Sequence, residues 1–325
     1  MSSREISPAP PWMVWAALWT VYIVWGSTYL AIRVTVETLP PLLAGGVRFL
    51  IAGALMWGFL RVRKGRDAMR VTAKQAYSAA IVGALLLLGG NGLVMIAEQD
   101  VPSGLASLII ASTPLWVILY RYIARERISN GTLVGVAVGF IGVAVLVAPG
   151  DRPGGASLTG IFLLVVAAAS WANGSFLSSR LQMPSDPAVS TAIQMLLGGG
   201  FLALGGLLRG ELSGLDSDAF STASVLALVY LVLIGSLVAF TAYVWVLQHA
   251  PVSKVATYAY VNPVIAIFLG WIILSERVTP VILVGAAIIV ASVAFIVRKE
   301  SSRPAAEHES LDTPARGLAG ADVRS

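Results

Sequence analysis

The sequence has no cysteine, only two histidines and few charges. Without thiols there can be no disulfide, no thiolate metal site and no cysteine nucleophile. His249 and His308 leave almost nothing from which to build an imidazole metal site. Charged residues make up 12% of the 325 and hydrophobic ones 57%, with a mean hydropathy of +0.82. A soluble domain carries about 25% charged residues. Half that share, spread over many long apolar runs, describes a polytopic membrane protein. Acids are also missing from the middle of those runs. All 17 fall in loops, tails or helix ends, which argues against a simple relay of buried carboxylates. No nucleophile with its base, no metal cluster and no Walker-type phosphate loop is visible, so neither an enzyme nor ATP-driven transport within this chain is expected. A net charge of +5 would suit nucleic acid, but in a membrane chain such an excess belongs to cytoplasmic loops. The expected partners are the lipid bilayer and a small-molecule substrate, with no nucleic acid, metal or cofactor.

A membrane span needs about 20 mostly apolar residues. Ten runs qualify: 12–32, 42–60, 77–97, 103–123, 132–148, 158–178, 188–208, 225–247, 252–274 and 281–297. The first is too long for a signal-peptide core and no A-x-A cleavage site follows it, so it is expected to be a retained span. Pro40-Pro41, Pro149-Gly150, Pro184, Pro187 and Pro251 punctuate the connectors. The tail 298–325 is polar and expected to be disordered. With the N-terminus inside, 17 of the 22 lysines and arginines fall on inner segments. Arg33, Arg152, Arg209 and Arg277 fall on outer ones, and Arg48 lies within the second span. That bias predicts both termini in the cytoplasm.

The sequence also repeats itself. Glu126-Arg127-Ile128-Ser129, followed by Leu133-Val134-Gly135-x-Ala137, returns 150 residues later as Glu276-Arg277-Val278-Thr279 and Leu283-Val284-Gly285-x-Ala287. Pro102 and Pro114 return as Pro251 and Pro263 at an offset of 149, so the stretch from Pro114 to Glu126 is one residue shorter than its copy and the fourth span is expected to be locally shifted. Trp25-Gly26-Ser27 matches Trp171-Ala172-Asn173, and Arg48-Phe49 matches Gln194-Met195, at an offset of 146. Five spans per half is odd, so the halves are expected to cross the membrane in opposite senses, as in many secondary transporters. The expected organisation is an N-terminal segment 1–11, a first repeat 12–148, a connector 149–157, a second repeat 158–297 and the tail.

The ordered set Trp25-Gly26-Ser27-Thr28-Tyr29, Pro40-Pro41, Arg48-Phe49, Gly90-Asn91-Gly92, Val101-Pro102-Ser103-Gly104, Tyr258-Ala259-Tyr260-Val261-Asn262-Pro263 and Glu276 resembles the EamA-domain branch of the drug/metabolite transporter superfamily. The resemblance covers all but the first dozen residues and the tail. It implies an all-α fold of ten transmembrane helices in two EamA repeats, a central cavity, and export of small metabolites such as amino acids, or of drugs, across a bacterial inner membrane. A lipid-linked carrier or flippase of the same superfamily is the alternative. A scaffold or sensor without solute flux is a third reading.

Candidate functional residues follow from what is costly in a membrane. A charge at mid-span costs about 2.5–3.5 kcal/mol or more, so Arg48 is expected to face the interior. It either grips an anionic group of the substrate or pins helices through their carbonyls. Trp25, Tyr29, Trp171, Tyr243, Tyr258 and Tyr260 offer apolar faces with a polar handle for a cavity, or simply pack. Asn91, Asn173, Gln194 and Asn262 need hydrogen-bond partners, either substrate or another helix. Pro114 and Pro263 free a backbone carbonyl at equivalent places and make a gate or a static bend. Glu98, at the outer end of the third span, is the candidate for proton coupling, against the simpler expectation of a solvated helix end. Gly131, Gly135 and Gly139 predict close helix packing within the chain. The basic run from Arg61 to Lys74 either grips anionic lipid headgroups or fixes topology.

Overall fold

The computed structural model describes residues 10–147, 155–213, 217–250 and 252–301, which are helices and connectors with no strand among them. The repeat proline Pro251, most of the connector 149–157, the first nine residues and the tail from 302 lie outside the described residues, and with them Arg4, Arg152 and His308. Ten apolar helices follow in order. α1 is Pro11–Thr35, α2 Pro41–Lys64, α3 Ala73–Ala97, α4 Ser103–Ile123, α5 Asn130–Val147, α6 Leu158–Ser178, α7 Pro187–Leu208, α8 Thr222–Leu247, α9 Tyr258–Leu274 and α10 Pro280–Glu300. Several start on proline, which loses nothing in a first turn whose N–H groups have no helical partner. Their outer surfaces remain apolar: Ile51, Leu55, Phe59, Val138, Phe162 and Leu226 are all exposed, as a lipid-facing wall requires.

The helices pair across the two halves. α2 lies on α7, and α5 on α10. α1 packs on α8 and α9, and its copy α6 packs on α3 and α4. Each half thus lends its first helix to the other. Both self-paired sets run antiparallel. A Cβ on Gly135 would meet Ile296, one on Gly139 would meet Ser292, and one on Gly142 would meet Ile288. Gly285, the copy of Gly135, faces Leu146. The glycine face of α5 therefore serves intramolecular packing, and Glu126 and Glu276 sit at opposite ends of the bundle. Ser129 and Thr279 cap α5 and α10 alike, accepting from the N–H groups of Thr132 and Ile282 at 3.1 and 3.4 Å.

Three features depart from ten regular rods. α3 and α8 widen into π-helix over Ala84–Gly92 and Leu231–Val238, at matching places in the two halves. α4 breaks at Ala111–Ser112, and Pro114 opens its second part, Thr113–Ile123. The copy Pro263 instead lies inside the unbroken helix Tyr258–Leu274, with a short turn, Val252–Val255, ahead of it. The two prolines thus do different things to their helices.

Candidate substrate site

Arg48 is 5% exposed although it lies two turns into a membrane helix. Glycines put it there. Gly46 and Gly53 bring the α2 backbone against Ala203 and Leu196 of α7, and the opposite face of α2 meets α8. Arg48 Nε donates to Ser236 Oγ at 3.0 Å, and Ser236 Oγ donates to the Leu231 carbonyl, five residues back in the widened turn, at 2.9 Å. The guanidinium lies 4.6 Å from the centre of the Phe49 ring. Gly235 lies beside it and close to α1: a Cβ there would make ordinary contact with Arg48 Nη2 at 3.6 Å and a tight one with Thr28 at 3.2 Å. Arg48 Nη1 is buried with no protein acceptor. Arg48 thus bonds across to α8 through a serine hydroxyl rather than helix carbonyls, and the Nη1 edge of its guanidinium has no protein acceptor. π-turns recur at functional sites because they displace side chains from regular helical register.

The aromatic candidates divide. Trp25 on α1 meets Tyr243 at 5.0 Å, Tyr258 at 5.1 Å and Phe240 at 6.1 Å between ring centres, joining α1, α8 and α9. Tyr29, one turn along α1, is within electrostatic reach of Tyr258 and of Glu98. Asn262 is buried, its Oδ1 has no protein donor, and its carbonyl lies against Gly26, next to Trp25. Arg48, through Gly235 and Thr28, borders the same region. Tyr260 instead lies with Thr257 and Tyr22.

The candidates in the other copy are differently placed. Trp171 packs on Gly90 of α3, where a Cβ would meet its ring at 2.7 Å. Gln194 donates to Ser190 of its own helix at 3.0 Å. Asn91 and Asn173 are half-buried on α3 and α6. Arg48 and its copy Gln194 thus serve different ends. Among the described residues, no group of three histidine, aspartate or glutamate side chains could hold a metal.

One expectation is corrected. Glu98 is not a solvated helix end: it is 0% exposed, enclosed where α3 turns into α4. Arg33 of α1 donates to the carbonyls of Glu98 and Gln99 and closes that turn from above. Sequence reasoning also passed over Ser236 and Phe240, and named Ser103 only within the motif that carries the resemblance. Ser236 had a usable signal, since it occupies the copy position of Gly90 in Gly90-Asn91-Gly92.

The two ends of the bundle differ. Glu276 accepts from the N–H groups of Ser103 and Gly104 at 2.7 and 3.0 Å, so it caps α4, whose first part packs on α9. At the other end Glu126 is held by Arg121 at 2.6 Å and by Arg180, and Arg121 also reaches Glu300 at 2.7 Å. There the second part of α4 lies on α5 and α6, and the turn before α9 lies on α8 and α10. Among the described residues, α4 and α9 meet closely only at the Glu276 end.

The EamA-like transporter family model matches residues 11–148 and 158–298. The chain is 35% identical to the uncharacterized inner membrane transporter YedA of Escherichia coli, over 91% of this chain and 92% of that one. It is 30% identical to the uncharacterized transporter YvbV of Bacillus subtilis, over 87% and 91%. It is 27% identical to a probable amino-acid metabolite efflux pump of Salmonella typhimurium, over 83% and 90%. A crystal structure 20% identical in sequence shares the fold, with a TM-score of 0.61 over 89% of this chain and 99% of that one.

Proposed function

The chain belongs to the EamA-like transporter family, and on that premise we propose that it exports small metabolites, amino acids or related compounds, across the bacterial inner membrane by alternating access. The observation that carries the reading is Arg48: a guanidinium buried in an apolar bundle with Nη1 unspent. A substrate carboxylate supplies the acceptor that Nη1 lacks. Asn262 Oδ1 awaits a donor, such as an ammonium or amide of the same solute. Trp25 and Tyr243 offer ring faces to its apolar part. The bias of basic residues supports cytoplasmic termini, which puts the Glu276 end outside. The α4–α9 contact then closes the outer side, and rocking of the inverted halves opens it in turn.

The test is flux in reconstituted vesicles with a panel of radiolabelled amino acids. Arg48→Ala is expected to abolish transport of anionic and zwitterionic solutes at unchanged protein level. Undiminished flux would make Arg48 a pin between α2 and α8 and nothing more.

A further inference from the structure

A second set of buried polar atoms lies at the Glu276 end, outside the site above. Both carboxylate oxygens of Glu98 are buried with no protein donor. Ser103, five residues on and also 0% exposed, has an Oγ with no partner. Its N–H is held by Glu276 Oε1. Gly270 of α9 completes the enclosure, since a Cβ there would lie 2.9 Å from both Ser103 Oγ and Glu276 Cδ. Ser103 and Glu276 thus meet where α4 lies on α9, and Glu98, at the turn from α3 into α4, lies within electrostatic reach of Glu276. The charged and titratable groups around Glu98 are Tyr29 and Arg33 of α1 and Glu276. Arg33 spends Nη1 on backbone carbonyls, and its charge favours ionised Glu98 without outweighing burial and Glu276, which oppose it. α6 brings no titratable group, and the nearest from α2 is Arg48, held by Ser236.

An ionised carboxylate in such a place, with no donor and a second carboxylate nearby, is far too costly, and the group neutralises instead. Glu276 differs, because both of its oxygens accept N–H groups at the start of α4. We propose that Glu98 is a proton-binding site whose occupancy closes the Glu276 end of the transporter: protonated while α4 is latched to α9 through Glu276, ionised when that contact opens to water. On closing, an O–H bond forms on one Glu98 oxygen with a proton taken from hydronium or a buffer acid. On opening it breaks and the proton returns to water. A sodium ion fits less well, because the Glu276 oxygens are spent on backbone N–H groups and too few oxygens remain for a metal's shell. The proposal rests on the alternating-access reading but is tested without substrate.

The full-length protein with Ile267→Cys carries a single thiol at the α4–α9 contact, because the native chain has none. Its labelling by a maleimide, normalised to the exposed position Arg277→Cys, is measured from acid to alkaline pH. Infrared difference spectra of the same protein follow the protonated carboxyl band. Normalised labelling should rise several-fold with pH, and Glu98→Gln should hold it at the acid level and remove the band. Glu98→Asp should restore both, which separates loss of a proton from loss of packing. Unchanged pH dependence in Glu98→Gln, survival of the band, or labelling that follows sodium at fixed pH would each overturn the proposal. A wild type whose labelling ignores pH would also overturn it. Flux that ignores Arg48→Ala would strike the substrate reading instead and leave both of these readouts in place.

Discussion

Arg125 and Ser275 hold the same left-handed backbone turn, with φ of 63° and 55°, each one residue before a copy of the duplicated Glu-Arg pair. The turn ends a helix and aims the following glutamate. It also absorbs the one-residue difference between the copies: the Glu126 N–H closes on the Arg121 carbonyl, five residues back, and the Glu276 N–H on the Gly270 carbonyl, six back, both at 3.0 Å. The extra residue therefore lies in the terminal turn of α9 and does not shift the fourth span.

A left-handed residue with a Cβ costs about 1–2 kcal/mol. Ser275→Gly should therefore raise the unfolding temperature in detergent, a gain of about 0.5–1 kcal/mol after the added freedom of the unfolded chain is counted. Ser275→Val should lower it, because a β-branched side chain is least tolerated at positive φ. Equal unfolding temperatures for the two variants would show that the turn is not held at this φ.

Length, hydropathy and the repeat made the ten helices and the opposite sense of the two halves legible, because these depend on composition along each segment and on parity. Arg48 was legible as the one charge well inside a span. The burial of Glu98 was not. It depends on Arg33 from α1 and on the loop carrying Glu276, groups far apart in the chain that no local pattern brings together. The widened turns of α3 and α8 escaped notice because π-helix has no composition of its own. The different behaviour of Pro114 and Pro263 shows that proline fixes a lost hydrogen bond while packing decides whether the helix breaks.

Asp186 caps α7, accepting from the N–H groups of Ala188 and Val189 at 2.9 and 3.4 Å, and pairs with Lys64. Partial burial pushes its carboxyl up, but the Lys64 ammonium and the two N–H groups outweigh that and hold it below the usual carboxylate value. A depressed folded value means that its contribution is present above the unfolded value and fades as pH falls through the folded one. An asparagine in its place would keep the cap without titrating. Asp186→Asn should cost about 0.5 kcal/mol at neutral pH, since Lys64 is partly exposed, and the gap from wild type should close in acid. A gap that stays constant down the acid range would remove Asp186 from the account.

Gly46 and Gly58 lie on the same helix and should respond with opposite sign. A Cβ on Gly46 would meet the Ala203 backbone nitrogen at 2.8 Å, whereas one on Gly58 would meet nothing within 4 Å. Gly46→Ala must push α2 off α7 and should cost about 1–3 kcal/mol, with loss of flux because Arg48 is two residues away. Gly58→Ala should be neutral or gain up to about 1 kcal/mol from helix propensity. Thermal unfolding of both variants in one detergent decides it, and equal effects would mean that α2 and α7 are less closely packed than described.

Arg127 and Arg277 follow the two copies of the duplicated glutamate, and both are exposed. The antiparallel packing of α5 on α10 sets the starts of these helices at opposite ends of the bundle. If the halves are inverted in the membrane, an impermeant maleimide added to intact spheroplasts should label Arg277→Cys and leave Arg127→Cys untouched. Inside-out vesicles should reverse the pattern. Exchange of the two results between preparations would keep the inverted repeat and overturn the cytoplasmic termini. Labelling of both positions from one side would end the inverted geometry itself, and with it the argument that one central site can open to either face.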